Sequence, residues 1–65
     1  MENNNVIKLM QAMYGVLEIS GKNAAKFVDG NKSAGTRLRK NMQDVKKFAQ
    51  AIRAEVQEQK NSVMA

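Results

Sequence analysis

The sequence contains no cysteine, no histidine and no proline. Without cysteine, neither a disulfide framework nor a thiolate metal site can stabilise so short a chain. Without histidine as well, the usual nucleophiles, general bases and transition-metal ligands are missing, so we expect no catalytic residue, no metal, no cofactor and no enzyme. The absence of proline, together with the absence of an alternating strand pattern, favours uninterrupted helices.

Long hydrophobic runs are also missing, because no window holds eighteen consecutive apolar residues. The first residues, Met-Glu-Asn-Asn-Asn, are acidic and polar where a signal peptide is cationic, so we expect a cytoplasmic protein. The 65 residues allow one small domain, residues 1–65. At this size roughly 60% of the unfolded surface can be buried, so self-association is expected to add stability.

The net charge of +5 is unevenly distributed along the chain. Residues 1–30 hold three lysines against three acidic residues, whereas residues 31–65 hold eight basic residues against three acidic ones. This asymmetry indicates an anionic partner, such as nucleic acid or a membrane surface, and disfavours a small-molecule substrate.

Apolar residues recur at spacings of three and four along two segments. This period predicts an all-α, antiparallel αα-hairpin with helices near residues 5–28 and 31–60, a turn at 29–31 and a frayed tail at 61–65. Gly30 is suited to the left-handed position after the first helix, and Asn3 to Asn5 and Asn31 or Ser33 are suited to cap the helices. The predicted core and oligomer-forming residues are Ile7, Met10, Tyr14, Leu17, Leu38, Met42, Val45, Ile52 and Val56.

The first helix carries more apolar surface than one partner helix can cover, since Val6, Met13, Val16 and Ile19 widen its apolar side. We therefore expect a homo-oligomer, most simply a dimer that forms a four-helix bundle or a coiled-coil-like assembly. Glycines within the first helix lead us to expect a kink or a break near residues 20–22. The aromatic residues are expected in the core.

The second helix has a row of basic residues spaced seven apart, which we name the basic ridge: Lys32, Arg39, Lys46, Arg53 and Lys60. The last four have no acidic residue three or four positions away, whereas we expect Arg37 to pair with Asp44. A charged helix side often serves only solubility, but an unpaired ridge flanked by glutamines suits binding to phosphate.

Duplex DNA is the partner that we favour, bound through its backbone without sequence preference. DNA is favoured over RNA, and too few aromatics are present for a single-strand stacking platform. The alternative is a helical assembly protein that docks an acidic protein partner, for example within a larger particle. A membrane is not expected, because the apolar side of the second helix would have to lie in lipid and could not also face the first helix.

The segments GNKSAGTRLRK at 30–40 and KKFAQ at 46–50, followed by Arg53, resemble the bacterial linker-histone-like nucleoid proteins. The resemblance implies a histone-like protein of the nucleoid that condenses DNA, in a short form without the family's lysine- and alanine-rich tail. It implies DNA-facing residues at Lys32, Arg37, Arg39, Lys40, Lys46, Lys47 and Arg53, and the ridge adds Lys60 to this predicted set.

Overall fold

The chain forms a two-helix antiparallel hairpin in the computed structural model, which describes the backbone of residues 4–64 and the side chains of residues 4–62. Helix α1 spans Asn5–Val28 and helix α2 spans Lys32–Met64. The predicted all-α hairpin is confirmed, with no strand in the described range. The hairpin is elongated, with extents of 53 × 19 × 11 Å.

Side-chain caps and one glycine define where the helices begin and end. Asn4 Oδ1 accepts a hydrogen bond of 2.8 Å from the backbone N–H of Val6, and Asn31 Oδ1 accepts one of 3.0 Å from that of Ala34. Gly30 has φ +106°, a backbone conformation that glycine adopts without a steric cost. Together these groups end α1, reverse the chain and start α2 within three residues.

Both helices continue past positions where an interruption or an end was expected. Helix α1 continues through residues 20–22 without a break, because interior glycines weaken a helix without interrupting its hydrogen bonds. Helix α2 continues through Met64, beyond the end expected near residue 60, and Ala65 lies outside the described residues. Fraying of this tail stays a prediction.

The face that α1 turns toward α2 differs from the predicted one. Ile7, Tyr14 and Leu17 were expected to face α2 but are 36%, 63% and 43% exposed. The more buried side chains are instead those of Val6, Leu9, Met10, Met13, Val16, Ser20, Asn23 and Ala24. Met10 of the predicted set lies on this face, but apolar periodicity missed its polar members Ser20 and Asn23, which are only 4% and 6% exposed.

The contact face of α2 is rotated in a similar way. Leu38, Val45 and Ile52 are half-buried as predicted, but Met42 and Val56 are 43% and 40% exposed. Their expected places against α1 are taken by Ala34, Asn41, Phe48 and Glu55. Ala34 is the only buried apolar residue among those described, so a single copy has a thin core.

The exposed hydrophobic residues gather mainly on one side of the hairpin. The opposite side has a groove lined by Leu9, Val16, Phe48 and Ala51. Val16 lines that groove, and Leu17 is about 100° around α1 from it. Leu17 therefore lies on the side of the hairpin away from the groove, and Met42 lies on the same side as Leu17. We name this side the apolar face: Ile7, Tyr14, Leu17, Met42 and Val56, with Met10, Leu38 and Ala49 half-buried between them.

Candidate nucleic-acid interface

The basic ridge is a solvent-exposed row of cations along α2. All five of its residues are exposed, and within the described part of the chain none lies within ion-pair distance of a carboxylate. At ~1.5 Å per residue, the ridge from Lys32 to Lys60 is about 42 Å long. A row of this length can reach several phosphates along a duplex.

The ridge borders the apolar face. Arg39 and Lys46 line a shallow groove together with Leu38, Met42 and Gln43. The cations and the exposed hydrophobic residues therefore lie next to each other on one side of the molecule. Gln43, Gln50 and Gln57 are exposed on the far side of the ridge, where their amides can donate to phosphate oxygens.

The remaining predicted DNA-facing residues lie away from the ridge. Lys47 lines the groove on the opposite side of the hairpin, beside Asp44 and Ala51. Lys40 Nζ lies 3.2 Å from Asp44 Oδ1, in an ion pair whose lysine side chain is 71% exposed. The structure brings Lys32, Arg39, Lys46, Arg53 and Lys60 into one row and leaves Lys40 and Lys47 on another flank.

Arg37 has a structural partner, but it is not the predicted one. Its Nε donates a hydrogen bond of 3.2 Å to Asn23 Oδ1 of α1. Asp44 lies two turns further along α2 and pairs with Lys40, which is four residues before it. The expected pairing of Arg37 with Asp44 is wrong, because residues four apart on a helix are neighbours whereas residues seven apart are about 10.5 Å apart.

Sequence reasoning missed a polar layer inside the hairpin. Asn23 Nδ2 donates a hydrogen bond of 2.9 Å to Asn41 Oδ1, and Ser20 Oγ donates one of 2.7 Å to Val16 O within α1. A second set of positions on α2 also has alternating spacings of four and three, and it is the set that faces α1: 34, 38, 41, 45, 48, 52, 55 and 59. Several of these residues are polar, so a search for apolar repeats passes over them.

A second polar cluster closes the open end of the hairpin. Asn4 Nδ2 donates to Gln59 Oε1 at 2.9 Å, and Gln59 Nε2 donates back to Asn4 Oδ1 at 3.0 Å. Asn5 Nδ2 and Gln59 Nε2 each donate to Glu55 Oε1 at 3.3 Å. We name this cluster the polar clasp; it fixes the start of α1 against the last part of α2.

Two of the three aromatic residues are not in the core as expected. Tyr14 is 63% exposed and Phe27 is 50% exposed, whereas Phe48 is half-buried. The ring of Phe27 packs against Gly35, where an added Cβ would lie 2.6 Å from Phe27 Cδ1. With so little depth between two helices, large rings remain partly in solvent.

The described residues offer little for other kinds of site. No group of three or more His, Cys, Asp or Glu side chains gathers among them as a metal site. Neither described helix is both long enough and apolar enough to cross a membrane. The chemistry that the described surface does present is that of cations, amides and exposed hydrophobic side chains.

Comparisons with known proteins support one assignment. Curated proteins and solved structures give no significant match. A family model described as histone H1-like protein Hc1 matches residues 4–62, which is nearly the whole chain and includes α1, all but the last two residues of α2, the basic ridge and the polar layer. This family is one of structural DNA-binding proteins of the nucleoid and not of enzymes. The predicted resemblance is thus confirmed: the chain belongs to the histone H1-like protein Hc1 family.

Proposed function

We propose that this protein binds the phosphate backbone of duplex DNA through the basic ridge, without preference for base sequence. The observation that carries the proposal is the row of exposed ridge cations with no carboxylate at ion-pair distance among the described residues. Such a row is self-repelling in the free protein and is relieved when a polyanion neutralises it.

The lack of sequence preference follows from the kind of contact. Lysine and arginine side chains on one exposed edge reach phosphates, which are the same at every base pair. The described structure has one hairpin and no second helix set across α2 to orient it in a groove, as helix-turn-helix proteins do. Lys40 and Arg37 contribute less than the ridge, since both already have intramolecular partners.

Salt dependence of DNA binding tests the proposal. Release of counterions from Z phosphates makes log affinity fall with log salt at a slope of about −0.9Z, so four to six contacts give a slope of roughly −4 to −5. Replacing Arg39, Lys46 and Arg53 together by Gln is expected to keep the helices, because all three are exposed, and to reduce the slope by about three units.

The matched control for this triple variant is Glu58→Gln, which also changes an exposed charge on α2 and is expected not to weaken binding. An unchanged slope in the triple variant, or no retardation of duplex DNA by the wild type at low salt, contradicts the proposal. Stoichiometric binding to an acidic protein with no affinity for DNA would favour an assembly role.

We propose further that two copies associate through the apolar face to form a four-helix bundle. The single hairpin leaves Tyr14, Leu17 and Met42 at 43–63% exposure and has no large side chain that is fully buried among the described residues. Covering apolar surface stabilises by about 25 cal/mol per Å², so a second copy on this face supplies the core that one copy lacks.

Leu17→Asp tests the association, because it places a charge in the centre of the apolar face. We expect this variant to sediment as a monomer, whereas the wild type shifts to dimer as its concentration rises. Ile19→Asp is the matched control, since Ile19 is 55% exposed but about 200° around α1 from Leu17. A wild type that stays monomeric over a wide concentration range contradicts the dimer.

A further inference from the structure

Positive charge is concentrated toward the turn of the hairpin. Val16 and Phe48 line the same groove and mark the middle of the molecule. The turn-proximal half, residues 17–47, holds eight Lys and Arg against three Asp and Glu, a net charge of +5. The described remainder, residues 4–16 and 48–62, has a net charge of +1. The strongest attraction for a polyanion therefore acts at the turn end of a 53 Å rod.

The apex of that end, residues 26–32, exposes two hydrophobic side chains next to the polar turn at 29–31. Val28, the last residue of α1, is 81% exposed, which is the highest exposure among the large hydrophobic residues described, and Phe27 beside it is 50% exposed. Lys26 precedes the pair, and Lys32 and Arg39 line a groove with Phe27. Asp29 follows and is the one acidic residue at the apex.

The apex is held in a fixed shape. Phe27 packs directly on the backbone at Gly35, where an added Cβ would overlap the ring at 2.6 Å. The turn behind it is closed by hydrogen bonds from Gly30 N to Phe27 O at 2.9 Å and from Asn31 N to Lys26 O at 3.0 Å. Proteins that wedge apolar side chains between base steps combine them with basic residues that contact the DNA, and the apex exposes both kinds of side chain.

We propose that the apex inserts Phe27 and Val28 between adjacent base pairs of duplex DNA and thereby bends it, while Lys26, Lys32 and Arg39 hold the neighbouring phosphates. This inference rests on the proposed function, since it requires that the protein binds DNA. Insertion unstacks one base step, and pyrimidine–purine steps unstack most easily. The free-energy cost of unstacking is offset by burial of the two exposed side chains and by attraction between the cations of the turn-proximal half and the phosphates.

The test uses the full chain and a duplex of about 20 base pairs, a length on which a bend is measurable, with 2-aminopurine at a central TA step and a dye at each end. On saturation at low salt, we expect 2-aminopurine fluorescence to rise, because the base unstacks, and energy transfer between the dyes to rise, because the ends approach. Val28→Ser is expected to lose much of both signals while it keeps the salt slope of the wild type.

Ile19→Ser is the matched control, because Ile19 is also an exposed β-branched residue of α1 but lies more than two turns from the apex. It is expected to keep both signals. A double variant, Phe27→Ser with Val28→Ser, extends the test once circular dichroism has shown it to be helical.

Three results would overturn the wedge. In the first, the wild type retards the duplex with a ridge-dependent salt slope but changes neither signal, which leaves backbone binding intact. In the second, the double variant keeps both signals. In the third, Val28→Ser changes the oligomeric state measured by sedimentation but leaves the bending signals unchanged, which would mean that the apex serves self-association. No retardation of the duplex at all would instead overturn the proposed function itself.

Discussion

Asn23 and Asn41 join the two helices through a hydrogen bond of 2.9 Å from Nδ2 to Oδ1. Asn23 is the donor of that bond through Nδ2, and its Oδ1 accepts a hydrogen bond of 3.2 Å from Arg37 Nε, so both polar atoms of this buried amide have partners. The two asparagines can form this hydrogen bond in only one alignment of the helices. The pair therefore fixes how α1 slides against α2.

Asn41→Ala is expected to lower the free energy of unfolding by about 1–3 kcal/mol, because it leaves the Nδ2 of the buried Asn23 without its acceptor. Urea unfolding followed by circular dichroism measures the change, at one fixed protein concentration because association affects stability. Gln50→Ala on the exposed side of α2 is the control and is expected to change stability by less than about 0.5 kcal/mol. Equal stability of the two variants would contradict a structural role for the pair.

Two glycines give opposite predictions for the same substitution. Gly35→Ala is expected to destabilise the hairpin by about 1–3 kcal/mol, because the new Cβ overlaps the Phe27 ring. Gly15→Ala is expected to stabilise it by up to about 1 kcal/mol, because alanine favours the helix and nothing lies within 4 Å of its Cβ. Thermal unfolding of the two variants compares them directly, and a stabilising Gly35→Ala would show that Phe27 does not pack there.

Asp44→Asn removes the partner of Lys40 from an ion pair in which the two side chains are 71% and 33% exposed. We expect stability to change by less than about 1 kcal/mol, because exposed pairs contribute little. DNA affinity should stay equal or increase, and if the released Lys40 reaches one more phosphate the salt slope should steepen by about 0.9. Weaker binding of this variant would assign Asp44 a role in holding the interface.

Sequence periodicity predicted the hairpin because the signals at its ends are local. Gly30 takes the left-handed conformation and Asn31 caps α2, and each of these is decided by residues within one turn. The basic ridge was also predictable from the sequence, because its residues are seven apart and charged side chains are expected to be exposed.

The contact faces were not predictable in the same way, because they depend on pairs of residues distant in the sequence. Asn23 can be buried at the interface because Asn41 lies opposite and accepts its hydrogen bond. In the sequence, each asparagine considered alone predicts a solvent-exposed position. Similarly, the sequence predicts Phe27 as a core residue, because its packing against Gly35 at the surface can be seen only in the structure. Apolar periodicity therefore identified the side of each helix on which hydrophobic residues are dense, and the structure uses part of that side as the apolar face.

The polar clasp brings Asn4 and Gln59 into direct contact, so the start of α1 and the last part of α2 lie together at the end of the hairpin remote from the turn. A short glycine-serine linker between the ends would thus permit a circular permutant whose new termini open at residues 29–31. Such a permutant keeps the ridge intact but cuts the apex. A fluorophore or an affinity tag on Asn4 would stand about 37 Å from the turn, because the 25 residue steps from Asn4 to Asp29 rise ~1.5 Å each.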